Sequence, residues 1–330
     1  MFLILSKILK KEFNFKLELK LKKINVIKII KKYCNYIYLY NNYNNYNKIF
    51  FFKKTILNIK YFEIPIINKN YKIDKIISSI KSICLDKIYI LLEKSLEFLI
   101  IKQQCLNFKY EEITIPLTIN YSNLLYSGQI PKFYNNLYKI NKKIFLIPTS
   151  EVILNSLSFF IKNNFFPIKI ICNSYCFRKE FGNFNNENLG IKRQQQFKKI
   201  EIFQFLKKKK SLEIFYSICS NINFILNLFK IKFRIIKLNY LDINNNSFLT
   251  FDFEVWNYSD NIWIELSSLS LCLDISFSIF LKKKKIYIIN ASCLPLGRLI
   301  YIIFYIYRVN NRYIKIPKQI NNILAELLKW

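Results

Sequence analysis

Histidine is absent from this 330-residue sequence, and glycine and methionine are scarce, at 4 and 1. The missing histidine excludes Ser-His and Cys-His nucleophilic catalysis. Eight cysteines are present, but only Cys172 and Cys176 lie close together, so no zinc site is expected. Isolated thiols fit a reducing compartment. Long apolar runs are also missing. The longest, Leu299 to Tyr307, falls far short of the ~20 residues that a membrane-spanning helix needs. The apolar start, Met1 to Leu5, is soon broken by Lys7 and is too short for a signal segment. No membrane contact and a cytoplasmic location are therefore expected. Chemistry in this chain has to run on charge and positioning.

Lysine, asparagine, isoleucine, phenylalanine and tyrosine are abundant, and their codons can be almost pure A and T. The composition thus reflects nucleotide bias as much as fold. The formal net charge is +31, a field that attracts polyanions. A solvated lysine-rich surface and a dedicated RNA face explain it equally well. Apolar residues make up 52% of the chain, enough for a sizeable core.

Residues 1–70 are rich in Lys, Asn and Tyr, with a polar loop at Asn41–Asn47, and read as a short, mainly helical N-terminal region. Residues 71–330 read as one larger domain. Between Ile76 and Gln104, Ile80, Ile83, Ile88, Leu91, Leu92, Leu96 and Leu99 recur at three- and four-residue steps, which predicts an amphipathic helix. Strand-like pieces follow at 111–116, 145–148, 168–172, 175–181 and 196–205. A helix is predicted at 211–230, then strands at 233–238, 250–256, 262–267 and 285–290, and a last apolar helix at 296–307. Many consecutive strands with few helices between them predict an α+β fold, an antiparallel sheet flanked by helices.

The stretch 175–205 reads YCFRKEFGNFNNENLGIKRQQQFKKIEIFQF. Strand alternation puts Arg178 and Glu180 on one face of its first arm, and Arg193, Gln195, Phe197, Lys199 and Glu201 on one face of its second. Two arginines, two carboxylates and an aromatic ring are costly to bury together without a ligand. They suit a nucleotide, because Arg matches phosphate oxygens with a planar fork and a ring stacks on a base. An exposed hairpin with ordinary ion pairs is the competing reading.

That stretch resembles motif 2 of the class II aminoacyl-tRNA synthetases in its seryl-type form. Other segments resemble the same family in the same order: YEEITIPLTINYSNLLYSGQIPKF at 110–133 its first motif, with Pro116; PTSE at 148–151 its amino-acid loop; FDFEVW at 251–256 and IELSSLS at 264–270 two strands; and NASCLPLGR at 290–298 its third motif. The resemblance implies ATP and Mg2+. Arg178 would hold the α-phosphate and Arg298 the γ-phosphate, as the catalytic pair. Glu180 would take the adenine amino group, Phe197 would stack on adenine and Arg193 would contact the nucleotide. Lys179, Leu266 and Ser267 belong to the same binding segments. Glu265 and Ser268 would coordinate magnesium, which favours oxygen ligands. For L-serine, Thr149 and Glu151 would hold the ammonium group, with Ser150 in the same serine-binding loop, and Glu201 and Ser292 the side chain, with Asn290 orienting the pocket. The implied partners are tRNA(Ser) and a second copy of the chain, the first motif being the subunit interface of the family.

The chain departs from the family in places. About 70 residues precede the catalytic part and lack sustained heptads, so the coiled-coil tRNA arm is expected to be shortened or absent. Gln195 and Leu189 stand where His and Arg are usual, and Cys293 is expected to narrow the pocket floor. The alternatives are a non-catalytic RNA-binding paralogue and an activator that loads a carrier protein.

Overall fold

The computed structural model describes residues 87–328 apart from 161–165, 181–189, 240, 245, 258–260, 274–285 and 309–312. It also describes residues 83 and 85 and the segments 37–40, 48–52 and 61–65. In chain order the elements are β1 (Ile37–Tyr40), β2 (Lys48–Phe52), β3 (Tyr61–Pro65), α1 (Lys87–Phe108), β4 (Glu111–Glu112), β5 (Thr118–Asn120), α2 (Tyr121–Tyr126), β6 (Ile144–Leu146), α3 (Glu151–Ser156), β7 (Ile168–Phe177) and β8 (Gln196–Leu206). There follow α4 (Ser211–Leu228), β9 (Phe233–Lys237), β10 (Ser247–Asn257), β11 (Ile262–Leu273), β12 (Tyr287–Pro295), α5 (Leu296–Ile306), β13 (Tyr313–Pro317) and α6 (Lys318–Leu328).

The period-two segments become one sheet in the order β1-β2-β9-β10-β11-β12-β8-β7-β4. Its neighbours run antiparallel except for β4 and β7 at one edge. The expected α+β class is what forms. Each central strand is apolar on one face. Ile200, Ile202, Leu269, Leu271, Ile289 and Ala291 meet Leu92, Leu96 and Ile100 of α1, Phe215 and Ile222 of α4, and Leu299 and Ile303 of α5. Truncating one such side chain, for example Leu96→Ala, costs about 2–5 kcal/mol through lost burial and the cavity left behind. The other face carries a smaller apolar cluster, including Cys172, Phe203, Phe205 and Ile288. Helices cover one face, so the polar residues of the central strands collect on the other.

Several expected boundaries move. Helix α1 spans Lys87–Phe108, and of its predicted stripe Leu92, Leu96 and Leu99 are buried; Ile80 lies outside the described residues. The strand expected at 111–116 shrinks to the two residues of β4, with one further rung from the Ile113 amide to the Ile171 carbonyl at 3.0 Å. Pro116 has no amide hydrogen with which to continue such a ladder. The two pieces expected at 168–172 and 175–181 form one continuous β7. Helix α5 is not the last: β13 and α6 follow, and Ile320 and Leu324 of α6 join the helix-side core. Of residues 1–70, expected to be mainly helical, the described parts are strands, with β2 paired to β9 and β3 to β13. The rest of that region, and the boundary at 70, lie outside the described residues.

Candidate active site

The β7–β8 hairpin builds the first half of the site. Its register pairs Cys176 with Phe197, Ser174 with Lys199 and Cys172 with Glu201. Phe197, Lys199 and Glu201 alternate along β8 and therefore share the face away from the helices. The ladder extends one rung beyond β7, with the Arg178 amide donating to the Gln195 carbonyl at 2.9 Å. Arg178 is then aimed across the face: its Nε donates to the Pro148 carbonyl at 3.0 Å, and its guanidinium lies 5.3 Å from the centre of the Phe197 ring. Glu180 has φ 55°, a left-handed conformation that costs a non-glycine residue roughly 1–2 kcal/mol. Its carboxylate accepts from Arg193 Nε. The Lys179 side chain goes elsewhere, over the Tyr138 ring at 5.9 Å.

Helix α5 closes this half. It starts directly after Pro295, and Arg298 lies in its first turn. Arg298 Nη1 donates to the Glu265 carbonyl at 2.8 Å and its Nε to the Lys192 carbonyl at 3.3 Å, which ties α5 to β11 and to the hairpin. Between these walls lies a cleft of about 560 Å³, partly open to solvent, bordered by Arg178, Glu180, Arg193, Phe197, Glu265 and Arg298. Gly297 lets Gln194 lie against it: a Cβ there would come within 3.1 Å of Gln194 Nε2.

Strand β11 contributes through an irregularity. Ser268 pairs with Asp252, Ser267 with Phe253 and Glu265 with Glu254, which leaves Leu266 opposite no residue. In an unbroken strand, residues three apart face opposite ways. The bulge at Leu266 restores phase, so Glu265, Ser268, Asp252 and Glu254 share one face. Leu266 borders the cleft but is only 1% exposed and packs in the helix-side core. Ser267 is buried, and its hydroxyl donates to the Ser292 carbonyl. Asp252 has a buried Oδ1 without a hydrogen-bond partner. Burial, then the negative charge of Glu265, pushes the Asp252 carboxyl up, against a hydrogen bond from Ser268. Glu254 is held by Arg234, with Nε and Nη2 each 2.7 Å from Oε2.

The second half of the site lies deeper along β8. Glu201 is fully buried. Its carboxylate accepts from the Thr149 hydroxyl at 2.9 Å, the Ser150 hydroxyl at 2.7 Å and the Glu151 amide at 2.7 Å, and Lys199 Nζ lies 2.6 Å away. Burial works to raise the Glu201 carboxyl, but the Lys199 charge and these hydrogen bonds outweigh it and hold it below its ordinary value. Lys199 Nζ also donates to Thr149 Oγ1 at 2.7 Å and reaches Ser292 Oγ at 3.4 Å. Glu151 behaves oppositely. Burial, then the charge of Glu201, pushes its carboxyl up to about 7, against Lys199, a hydrogen bond from Asn290 and Arg178. Asn290 is buried with its Oδ1 unpartnered.

The two halves share one strand, an arginine-walled cleft at Phe197 and a buried hydrogen-bond cluster around the Glu201 carboxylate. Comparisons with known proteins assign the fold to a family. The family model for the tRNA synthetase class II core domain (G, H, P, S and T) matches residues 136–307. This chain belongs to the class II tRNA synthetase family. The chain is 36% identical over 199 residues to the serine–tRNA ligase of Prochlorococcus marinus strain AS9601, covering 57% of this chain and 47% of that one. It is 34% identical over 227 residues to the serine–tRNA ligase of Wigglesworthia glossinidia brevipalpis, covering 63% and 53%. The chain thus spans about half the length of the curated relatives it matches. Two solved structures share its fold. The cytoplasmic serine–tRNA ligase of Naegleria fowleri, in complex with AMP, superposes with TM-score 0.71 at 23% identity, covering 78% of this chain and 57% of that one. The seryl-tRNA synthetase of Pyrococcus horikoshii, complexed with ATP, gives 0.70 at 20%, covering 78% and 60%.

Against the sequence expectations, this class II core brings Arg178, Glu180, Arg193, Phe197, Glu265 and Arg298 to one cleft. It brings Thr149, Ser150, Glu151 and Glu201 to one pocket, beside Ser292 and Asn290. Cys293 does not floor that pocket. The strand register shifts between Ser292 and Leu294, and Cys293 packs in the helix-side core, where Gln104 Nε2 lies 3.4 Å from its sulfur. Gln195 bonds across the hairpin to the Lys179 carbonyl at 3.4 Å, and Leu189 lies outside the described residues. Two participants were not assigned from sequence. Lys199 carried a signal, since alternation set it between Phe197 and Glu201. Asp252 carried none, because only the bulge brings it to the face of Glu265 and Ser268.

Proposed function

We propose that this protein is a seryl-tRNA synthetase, activating L-serine with ATP and passing it to the 3′ end of tRNA(Ser). The observation that carries the reading is the pairing, on one strand, of an arginine-walled cleft at Phe197 with a buried hydrogen-bonding pocket at Glu201. A pocket built to hydrogen-bond a hydroxyl rejects analogues that lack it. The similarity to curated serine–tRNA ligases supports the same choice.

The chemistry follows from the residues. Adenine stacks on Phe197, Glu180 receives its amino group and Arg193 contacts the bound nucleotide. Arg178 holds the α-phosphate and Arg298 the γ-phosphate, at the positive end of α5. Ionised Glu151 and Thr149 hold the serine ammonium group, while Glu201 and Ser292 take the side-chain hydroxyl. One serine carboxylate oxygen attacks the α-phosphorus in line; the bond to the bridging oxygen breaks, and pyrophosphate leaves. Arg178 and Arg298 offset the charge that develops. A ribose hydroxyl of the terminal adenosine of tRNA then attacks the seryl carbonyl and AMP departs.

Magnesium fits this face. Glu265 and Ser268 offer oxygen donors on one side of β11, and the buried unpartnered Oδ1 of Asp252 stands beside them. Bound there, the ion would supply positive charge to the phosphates. A homodimer through the first-motif segment is supported by exposed apolar side chains along it, Leu117, Tyr121 and Leu125. Zinc has no part in the scheme, and the working location is the cytoplasm; no helix among the described residues is long and apolar enough to cross a membrane. The test is amino-acid-dependent exchange of pyrophosphate into ATP, comparing serine, threonine, alanine and proline. Exchange with serine alone is expected. A folded protein showing none with any of the four would overturn the reading in favour of an RNA-binding paralogue, and aminoacylation of tRNA against a carrier protein would identify the acceptor.

A further inference from the structure

The Glu201 carboxylate is already saturated. An ionised carboxylate offers about four lone-pair sites, and here the donors are Lys199 Nζ, Thr149 Oγ1, Ser150 Oγ and the Glu151 amide. On the proposed reading, on which this inference rests, Glu201 must also accept the hydroxyl of serine. One donor has to leave. Thr149, Ser150 and the Glu151 amide sit together on the turn that enters α3, where Thr149 and Ser150 are buried. Lys199 is buried as well and also donates to Thr149 Oγ1 at 2.7 Å, but its ammonium ends a flexible four-carbon stem and has another acceptor in reach, Ser292 Oγ at 3.4 Å on β12. Lys199 also borders the nucleotide cleft together with Arg178, Phe197 and Ser292.

We propose that Lys199 is the exchangeable cation of the site: serine displaces its ammonium from Glu201, and the freed ammonium moves to the junction of serine carboxylate and α-phosphate, where it acts as a catalytic cation. Charge drives the exchange. The arriving substrate ammonium repels Lys199 and takes over the neutralisation of the carboxylates. At the same moment a negatively charged nucleophile is brought toward a negatively charged phosphate group, and a mobile cation two residues from Phe197 on the same strand face is placed to offset that repulsion. The pocket is thereby kept neutral when empty, and the cation is delivered when both substrates are present.

The test compares wild type with Lys199→Met in serine-dependent pyrophosphate exchange, with thermal unfolding used to confirm that the variant folds. The expected result is a fall in kcat of ~100-fold with a serine KM that is unchanged or lower, since a competitor for Glu201 has been removed. A raised serine KM, or an unchanged kcat, overturns the proposal and makes Lys199 a fixed wall of the pocket. Should Lys199→Met fail to fold, Lys199→Gln keeps a hydrogen-bond donor beside Glu201 while removing the charge, and carries the same test with the same criteria. Wild-type protein without serine-dependent exchange would overturn the underlying function together with this inference, whereas wild-type exchange with a raised KM in the variant overturns this inference alone.

Discussion

The two halves of the site are built on opposite plans. Around Phe197 the charged groups line a cleft and are tied to main-chain carbonyls and to one another. Arg178 donates to the Pro148 carbonyl and lies against an aromatic face, Arg298 bonds to two main-chain carbonyls, and the cleft is partly open. Around Glu201 the charged groups are buried and their hydrogen bonds are filled before any substrate arrives. The difference follows from the ligands proposed for each half. A large polyanion brings enough charge to engage several arginines at once, and it needs room to enter and leave. A small neutral amino acid has few groups with which to pull a site together, so its pocket must be preorganised, and burial without saturation would be ruinous.

The sharpest way to break that contrast is Glu201→Ala. It strands the Lys199 ammonium in a buried site, and a stability loss of about 3–5 kcal/mol is expected, read from denaturant unfolding, together with loss of serine-dependent exchange. Unchanged stability would mean that the pocket is not held as described. Arg178→Ala is the counterpart on the open side. It should lower kcat ~10²–10³-fold while leaving the unfolding midpoint nearly in place, because few groups depend on that guanidinium.

A pH series sharpens the comparison further. The Glu151 carboxyl is pushed up to about 7, and only its ionised form neutralises an ammonium group. Serine KM should therefore fall as pH rises toward 7 and level off above it, with a slope of about tenfold per unit on the acid side. In Glu151→Gln the pH dependence of serine KM should disappear while that of ATP KM remains, because the raised Asp252 carboxyl lies in the other half; loss of both would argue against the division. The smallest effect is expected for Gly297→Ala. The added methyl meets the movable end of Gln194, so the cost should be about 1 kcal/mol, visible as a modest rise in ATP KM with serine KM unaffected.

Much of this was legible from particular residues. The alternation at Phe197, Lys199 and Glu201 put the ring, the ammonium and the carboxylate on one face, and the pairing of β7 with β8 confirms it. The stripe through Leu92, Leu96 and Leu99 marked the buried side of α1. Other features left no local trace. Tyr313–Pro317 lies far in sequence from its partner β3, and a strand's partner is not encoded in its own pattern. Ser267, grouped with its neighbours by sequence order, turns into the core because of one unpaired residue at Leu266. Cys293 turns away from the pocket through the register shift beside Ser292.

The sequence by itself determined the chemistry available: arginines and carboxylates without histidine, in a spacing that alternation could sort onto strand faces. It also determined the class of fold, because period-two and period-3.6 apolar patterns each bury only one way. Which residues share a surface across β10, β11 and β12 was decided by tertiary structure alone. A bulge re-phases every side chain beyond it, and its position depends on the facing strand. The saturation of Glu201 belongs to the same class of fact, since its donors come from Thr149, Ser150 and Glu151, about fifty positions away, and meet it only when the sheet is formed.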